Sequence, residues 1–100
     1  MEHLNRVELR GVVGSVRKTK LSECTLTRFI VATNYVYKAA DGTIVDETTW
    51  HTVINWNGIE IERGDKVEVV GRVRGNRYTT ASGEERFAYE ILASEVRKVE

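Results

Sequence analysis

The run NRVELRGVVGSVRK at residues 5–18 is rich in β-branched residues but carries two glycines, Gly11 and Gly14, near its centre. A glycine inside a strand commonly marks a bulge or a sharp bend. A long strand that bends allows a small sheet to close on itself. The run therefore predicts a barrel rather than a sandwich, which usually has seven or more strands.

Four further β-rich segments follow this strand, at about residues 24–37, 47–56, 66–78 and 85–97. The chain has no proline, and turn residues (Gly, Asn, Asp and Ser) separate the segments. The insert at residues 58–63 has room for at most a turn or two of helix. We therefore expect an all-β, five-stranded barrel with a short or absent helix between the third and fourth strands.

Composition supports this fold class, because Val, Ile and Thr together number 30 while Ala and Leu number 11. One hundred residues predict a single domain over residues 1–100. No apolar run approaches the ~20 residues that a membrane span needs, and the first ten residues lack the apolar block of a signal peptide. The single cysteine, Cys24, has no internal disulfide partner. We therefore expect a cytoplasmic protein with no membrane partner.

The charges are unevenly distributed, although 15 basic and 15 acidic residues give a formal net charge of zero. Residues 9–22 and 69–82 contain arginines and lysines but no acidic residue. A neutral chain with this pattern can carry a basic stripe that binds nucleic acid. The alternative is that these residues belong to ordinary solvated strand faces.

The tryptophans of the third strand are open to two interpretations. Alternation places Trp50, Thr52, Ile54 and Trp56 on one face, with His51, Val53 and Asn55 on the other. By hydrophobicity alone, the face with both tryptophans belongs to the core. On the other interpretation both indoles are exposed and stack on unpaired bases, which requires no particular base sequence.

Further aromatic and basic residues favour the second interpretation. Tyr37 and Tyr78 lie beside turns, where long hairpins would project, and Tyr78 directly follows Arg77. Rings interleaved with guanidinium groups suit a single strand, because the rings stack on bases and the cations hold phosphates. The predicted phosphate contacts are Arg10, Arg17, Lys18, Arg72, Arg74 and Arg77.

The sequence offers little support for catalysis. Cys24 and His51 have no orienting acid at a known motif spacing, so we expect Cys24 to be a small core residue and His51 a half-buried, hydrogen-bonded one. No phosphate-binding glycine-rich loop and no zinc spacing occur. The sequence Arg63-Gly64-Asp65 is interpreted as a turn. We therefore expect no catalytic residues, no metal and no cofactor.

The order of these segments resembles the bacterial single-stranded DNA-binding proteins over nearly the whole chain. The resemblance lies in residues 5–14 with their Gly-x-x-Gly, in 29–33 (FIVAT), 49–53 (TWHTV), 63–67 (RGDKV) and in the hairpin residues 71–87. It implies an OB fold, a five-stranded Greek-key barrel. It also implies base stacking at four positions, namely Tyr37, Trp50, Trp56 and Tyr78.

The same resemblance implies single-stranded DNA as partner, association with the nucleoid, and a role in replication, recombination or repair. It also implies assembly as a homodimer or homotetramer. Pairing of the long first strand with a symmetry mate would remove an exposed edge. The chain departs from the family in its short insert after the third strand and in stopping before an acidic tail, so tail-mediated recruitment of partners is not expected. Alternatives are a factor similar to primosomal replication protein N and an OB-fold protein-interaction module.

Overall fold

The computed structural model describes residues 1–99, which form the strands β1 (Val7–Lys20), β2 (Thr25–Lys38), β3 (Ile44–Asn55), β4 (Lys66–Thr79) and β5 (Glu85–Lys98). No helix occurs within that range, so the all-β prediction is confirmed. Accordingly, the described residues contain no helix of the length and apolarity that crossing a membrane requires.

The strands form a closed ring in the order β1-β2-β3-β5-β4. All neighbours are antiparallel except β3 and β5, which pair in parallel at only two positions, Val53↔Ile91 and Ile54↔Leu92. The first strand closes the ring because it pairs with β4 through residues 7–12 and with β2 from Val12 onward.

The bend in β1 lies at its two glycines, as the sequence predicts. The register with β2 shifts between Val13 and Val16, immediately around Gly14. At Gly11 a Cβ atom would lie 2.2 Å from the carbonyl oxygen of Ala32, so a larger residue would push the two strands apart. The bend therefore depends on glycine at this close approach.

The core fills the ring with β-branched and aromatic side chains from all five strands. Alternation along β2 points Thr27, Phe29 and Val31 inward, and Phe29 is the largest fully buried side chain. The buried core cluster consists of Val13, Phe29, Val31, Val53, Ile61, Val67, Val69, Ile91 and Ala93.

A loop between β3 and β4 takes the place of a helix. Ile61 of this loop is buried in the core, with Ile59 packed beside it. Two backbone hydrogen bonds fasten the loop to β1: Gly64 N–H donates to the Val13 oxygen (2.8 Å), and Val13 N–H donates to the Asp65 oxygen (2.9 Å). A short apolar loop thus adds to the core without a helical turn.

Two long hairpins project from the ring. The β2–β3 hairpin stays paired to Lys38↔Ile44, and the β4–β5 hairpin to Thr79↔Glu85. Both turns carry a glycine in the left-handed region, Gly42 (φ 91°) and Gly83 (φ 87°). Because β3 and β5 pair at only two positions, the hairpins separate and leave a groove between them.

Candidate nucleic-acid interface

The strand β3 turns its tryptophans outward. Val53 is fully buried, whereas Trp50 is 63% exposed and Trp56, just past the end of the strand, is 46% exposed. The core face of this strand is that of Val53 and Asn55, although Ile54, which alternates with them, is buried as well. The interpretation of both indoles as core residues is therefore wrong.

Seven of the eight aromatic side chains are exposed, and only Phe29 is buried. Burial of large apolar side chains is the main favourable term in folding, so a barrel that leaves most of its rings exposed forgoes part of that stabilisation. Exposed apolar surface of this kind is typical of an interaction site. The exposed rings are Tyr35, Tyr37, Trp50, Trp56, Tyr78, Phe87 and Tyr89.

The groove between the two hairpins has a volume of about 270 Å³. Trp50 and Thr52 of β3 form one side, Tyr89 and Glu90 of β5 form the other, and Ile91 lies where the strands meet. The groove thus combines two exposed rings with polar side chains.

Glycines make room for the rings beside this groove. A Cβ atom at Gly14 would lie 3.2 Å from Cζ3 of Trp50, and one at Gly75 would lie 3.1 Å from Cε1 of Tyr89. Each ring therefore packs directly against backbone on one side. The other face of each ring is left available to a ligand.

A row of residues paired in register crosses the ring through Ile54, which lies between Trp50 and Trp56 in the sequence and is itself only 2% exposed. Residues paired in register lie on the same face, so Arg17↔Arg28, Arg28↔Ile54, Ile54↔Leu92 and Leu92↔Arg72 define a continuous row. Its three arginines come from β1, β2 and β4. The row brings basic residues from distant parts of the sequence onto the surface that carries the tryptophans.

The predicted cations differ in their ion pairing. Within residues 1–99, Arg17, Arg72 and Arg77 have no carboxylate within ion-pair distance. The guanidinium of Arg77 lies 5.3 Å from the Phe87 ring centroid, a cation–π contact on the β4–β5 hairpin. Lys18 pairs with Glu60 of the loop at 2.9 Å.

Arg10 lies in a different row from the tryptophans. Its guanidinium is 3.3 Å from Glu68, which also pairs with Arg97 at 3.1 Å. The register places these three residues across β1, β4 and β5, a row that does not include β3. The structure therefore does not bring Arg10 together with Arg17 and Arg72. Arg77 alternates with Tyr78 along β4 and so lies on the opposite face of that strand from Arg72.

Glu90 is a buried carboxylate, 8% exposed, beside the groove. Its Oε1 accepts hydrogen bonds from Arg74 Nε (3.1 Å) and Asn76 Nδ2 (2.9 Å), and its Oε2 lies 3.6 Å from Arg28 Nη1. Burial opposes ionisation, but these hydrogen bonds and the charges of Arg74 and Arg28 outweigh it and hold the pKa of Glu90 below its usual value of 4.5.

The four predicted stacking residues do not all share one face. Trp50 lies on the outer face of β3, Trp56 is exposed just past the end of that strand, and Tyr78 lies on the same face of β4 as Arg72 and Arg74. Tyr37 pairs with Val45, so it lies on the opposite face of the β2–β3 hairpin from Trp50, 5.9 Å from the ring of Tyr35. A strand that uses all four rings would have to pass around this hairpin.

His51 and Cys24, the two residues considered for catalysis, lie in different environments. His51 is half-buried and within 2.8 Å of the Thr33 hydroxyl, as predicted, and burial lowers the pKa of its imidazole. Cys24 is exposed, so the prediction of a core cysteine is wrong. It precedes the first residue of β2, Thr25, and is therefore not part of a strand that faces the core. Within residues 1–99 no cluster of metal-ligating side chains occurs.

Sequence reasoning gave no role to four exposed residues of the ring and its hairpins: Arg28, Tyr35, Phe87 and Tyr89. Arg28 falls in neither acid-free segment, and only the register reveals its place beside Arg17. Tyr35, Phe87 and Tyr89 lie close to the predicted turns. That position on projecting hairpins was the feature of the sequence from which their exposure could have been predicted.

Comparison with known sequences settles the family. The profile described as "Single-strand binding protein family" matches residues 4–99. The chain belongs to this family. Among its relatives are the single-stranded DNA-binding proteins of Xanthomonas axonopodis pv. citri, 30% identical, and Neisseria meningitidis serogroup A, 31% identical, each over 94% of this chain. The chain spans 57% and 59% of the length of these two proteins.

Solved structures of this family share the fold. The Plasmodium falciparum SSB in complex with ssDNA superposes with a TM-score of 0.89 at 19% identity, covering all of this chain and 98% of that one. The small single-stranded DNA-binding protein of Streptomyces coelicolor gives 0.75 at 20% identity, covering 99% and 96%. The OB-fold prediction is confirmed.

Proposed function

We propose that residues 1–100 act as a single domain that binds single-stranded DNA with little sequence preference. The observation that carries this proposal is the outward placement of Trp50 and Trp56 on either side of a row of three arginines. Rings supply stacking surfaces for unpaired bases, and guanidinium groups supply charge for phosphates. The relatives are named for this activity, which supports the same conclusion.

In the proposed complex the bases stack on Trp50, Trp56 and Tyr78, and on Tyr37 where the strand passes around the β2–β3 hairpin. Phosphates contact Arg17, Arg72 and Arg77 first, because these groups have no carboxylate partner among the described residues. Lys18 and Arg74 are secondary contacts, and Arg10 contacts a phosphate only if the strand also crosses the junction of β1 and β4. The role that follows is protection of single strands in replication, recombination or repair, without catalysis.

A fluorescence titration tests the proposal directly, because both tryptophans lie on the proposed surface. Adding oligo-dT at low salt should quench the emission, and affinity should fall with added salt by about 0.7 in log–log slope per phosphate contacted. Duplex DNA of the same length is the control and should bind far more weakly, because its bases are already stacked. An unchanged emission with oligo-dT would contradict the proposal.

We also propose that the protein works as a homodimer or homotetramer. Among residues 1–99, the edge of β1 opposite β4 has no partner strand before Val12, so residues 7–11 offer free backbone groups to a second copy. Several copies would lengthen the DNA path beyond the ~4–16 nucleotides of one OB fold. Light scattering at micromolar concentration should give a multiple of the 11.4 kDa chain mass; a monomer would reject assembly but not DNA binding.

A further inference from the structure

A buried carboxylate within a surface proposed to bind phosphates calls for an explanation, because a negative charge there repels DNA. Glu90 is almost fully buried on β5, between the row of arginines and the groove. Its neighbours on the outer face are Arg74 and Asn76 of β4 and Arg28 of β2. The carboxylate therefore connects three strands of the ring.

The hydrogen bonds of Glu90 restrain the arginines without using up their donors. Glu90 Oε1 accepts from Nε and one Nη of Arg74, so most of the five N–H groups of that guanidinium remain free. Glu90 Oε2 faces Nη1 of Arg28, which reaches it from β2 across the intervening strand β3. The side chain of Arg28 is 47% exposed and that of Arg74 is 42% exposed, so both also reach solvent.

An unrestrained arginine loses rotamer freedom when it binds a phosphate, and this loss weakens binding. A buried carboxylate that already holds the guanidinium removes part of that loss before the ligand arrives. Burial also limits how closely the negative charge of Glu90 approaches a phosphate outside the barrel.

We propose that Glu90 is a positioning residue, which fixes the guanidinium groups of Arg28 and Arg74 in the orientation that receives DNA phosphates. The inference rests on the proposed single-stranded DNA binding. It assigns Arg28 to the phosphate contacts and explains how a surface that binds DNA can carry an acid at this place.

The variant Glu90→Gln separates positioning from charge, because it keeps the shape while it removes one negative charge. If Glu90 only repels DNA, the variant binds oligo-dT more tightly. If Glu90 positions the arginines, the variant binds more weakly. The salt slope then becomes shallower by about 0.7 for each phosphate that is no longer bound, which is about fivefold in affinity per phosphate at 0.1 M salt. Tighter binding, or weaker binding with an unchanged slope, would overturn the inference.

Glu90→Asp gives a second, independent result at constant charge. Shortening the side chain by one methylene draws the carboxylate away from both arginines, so positioning predicts weaker binding and a shallower slope, while repulsion predicts no change. Glu85→Gln is the matched control: it removes the same charge from the same strand, where no arginine lies within ion-pair distance among the described residues. The control should bind as well as the wild type or slightly better.

A double-mutant cycle then tests whether Glu90 acts through its arginines. In a chain that already carries Arg28→Ala and Arg74→Ala, adding Glu90→Gln should change the oligo-dT affinity less than twofold. A full effect in that background would show that Glu90 acts by another route. Failure of the wild type to bind oligo-dT would instead reject the proposed function itself.

Discussion

At the scale of single residues, Trp50 shows how a large apolar side chain is kept in water. Its ring packs on the backbone at Gly14, on the outer face of the barrel, while Val53 three residues later faces the core. One face of the indole packs on this backbone and the rest of the ring stays in water. The free protein therefore lacks the stabilisation that full burial of the ring would give, and a base stacked on the exposed face would bury it in the complex.

Trp50→Ala should therefore affect binding more than folding. We expect affinity for oligo-dT to fall by about 1–3 kcal/mol, the contribution of one stacked base, with little change in the melting temperature. Phe29→Ala is the contrasting variant, because this ring is 1% exposed, and it should lose about 3–5 kcal/mol of stability. Unfolding of Trp50→Ala with unchanged affinity in the folded fraction would contradict the assignment.

His51 predicts a pH dependence of stability. Burial lowers the pKa of this histidine in the folded chain below the usual 6.5, so the unfolded chain binds more protons between the two values. The associated stability is fully present above pH 6.5 and is lost as the pH falls toward the native pKa. Urea denaturation at pH 7.5 and 5.5 should show this decrease, and His51→Gln should reduce it. His3→Gln, at an exposed terminal position, is the control.

Which residues face the core was only partly predictable from the sequence. The alternation of β3 was clear, but hydrophobicity assigned the tryptophan face to the core. The deciding factor is tertiary: Val53 lies opposite Phe29 in the β2 register, and Phe29 points into the ring. No single strand contains that information, because each face is defined by its neighbours.

At the scale of strands, the ring closes at points where two backbones approach closely. At Gly71 a Cβ atom would lie 2.2 Å from the Leu92 carbonyl oxygen and 2.9 Å from the Ala93 Cα, and the β4–β5 register shifts there. Gly11 plays the equivalent part between β1 and β2. These glycines allow long strands to bend around a core that a flat sheet could not enclose.

Gly71→Ala should consequently destabilise the barrel. The added methyl group meets backbone atoms that cannot rotate away, so we expect a loss of about 1–3 kcal/mol in the free energy of unfolding, measured by denaturant titration. Gly75→Ala on the same strand is the matched control, because its methyl group would meet only the movable ring of Tyr89. Equal losses for the two variants would show that strand propensity, not close approach, sets the cost.

The strands themselves were largely predictable, since turn residues and β-branched runs are local signals. The early start of β3 at Ile44 was missed, because the hairpin remains paired almost to its turn. The row from Arg17 through Arg28 to Arg72 could not be predicted, because its members are brought together by register between strands that are distant in sequence.

At the scale of the molecule, the two hairpins make the chain extended for its size. The radius of gyration is 16.1 Å, compared with about 13 Å for a typical 100-residue domain. The hairpins carry exposed apolar side chains such as Val36 and Ile44, which contribute little to the core. A shape of this kind buries less surface than a sphere and is suited to contact with a long ligand or with further copies of the chain.

The uneven charge of the molecule leads to a prediction about salt. Net charge is zero, so any strong salt dependence of DNA binding must come from local placement of cations. Arg72→Gln removes a cation from the row that crosses β3, and it should make the log–log salt slope of oligo-dT binding shallower by about 0.7, the value for one phosphate.

Arg10→Gln removes the same charge from the separate row that Arg10 forms with Glu68 and Arg97. If the DNA follows the tryptophan face, this variant should keep the wild-type slope, although Arg10 and Arg72 are equivalent candidates by sequence alone. Equal changes for the two variants would mean that the strand also crosses the junction of β1 and β4. Fluorescence titrations of both variants at four salt concentrations distinguish the two paths.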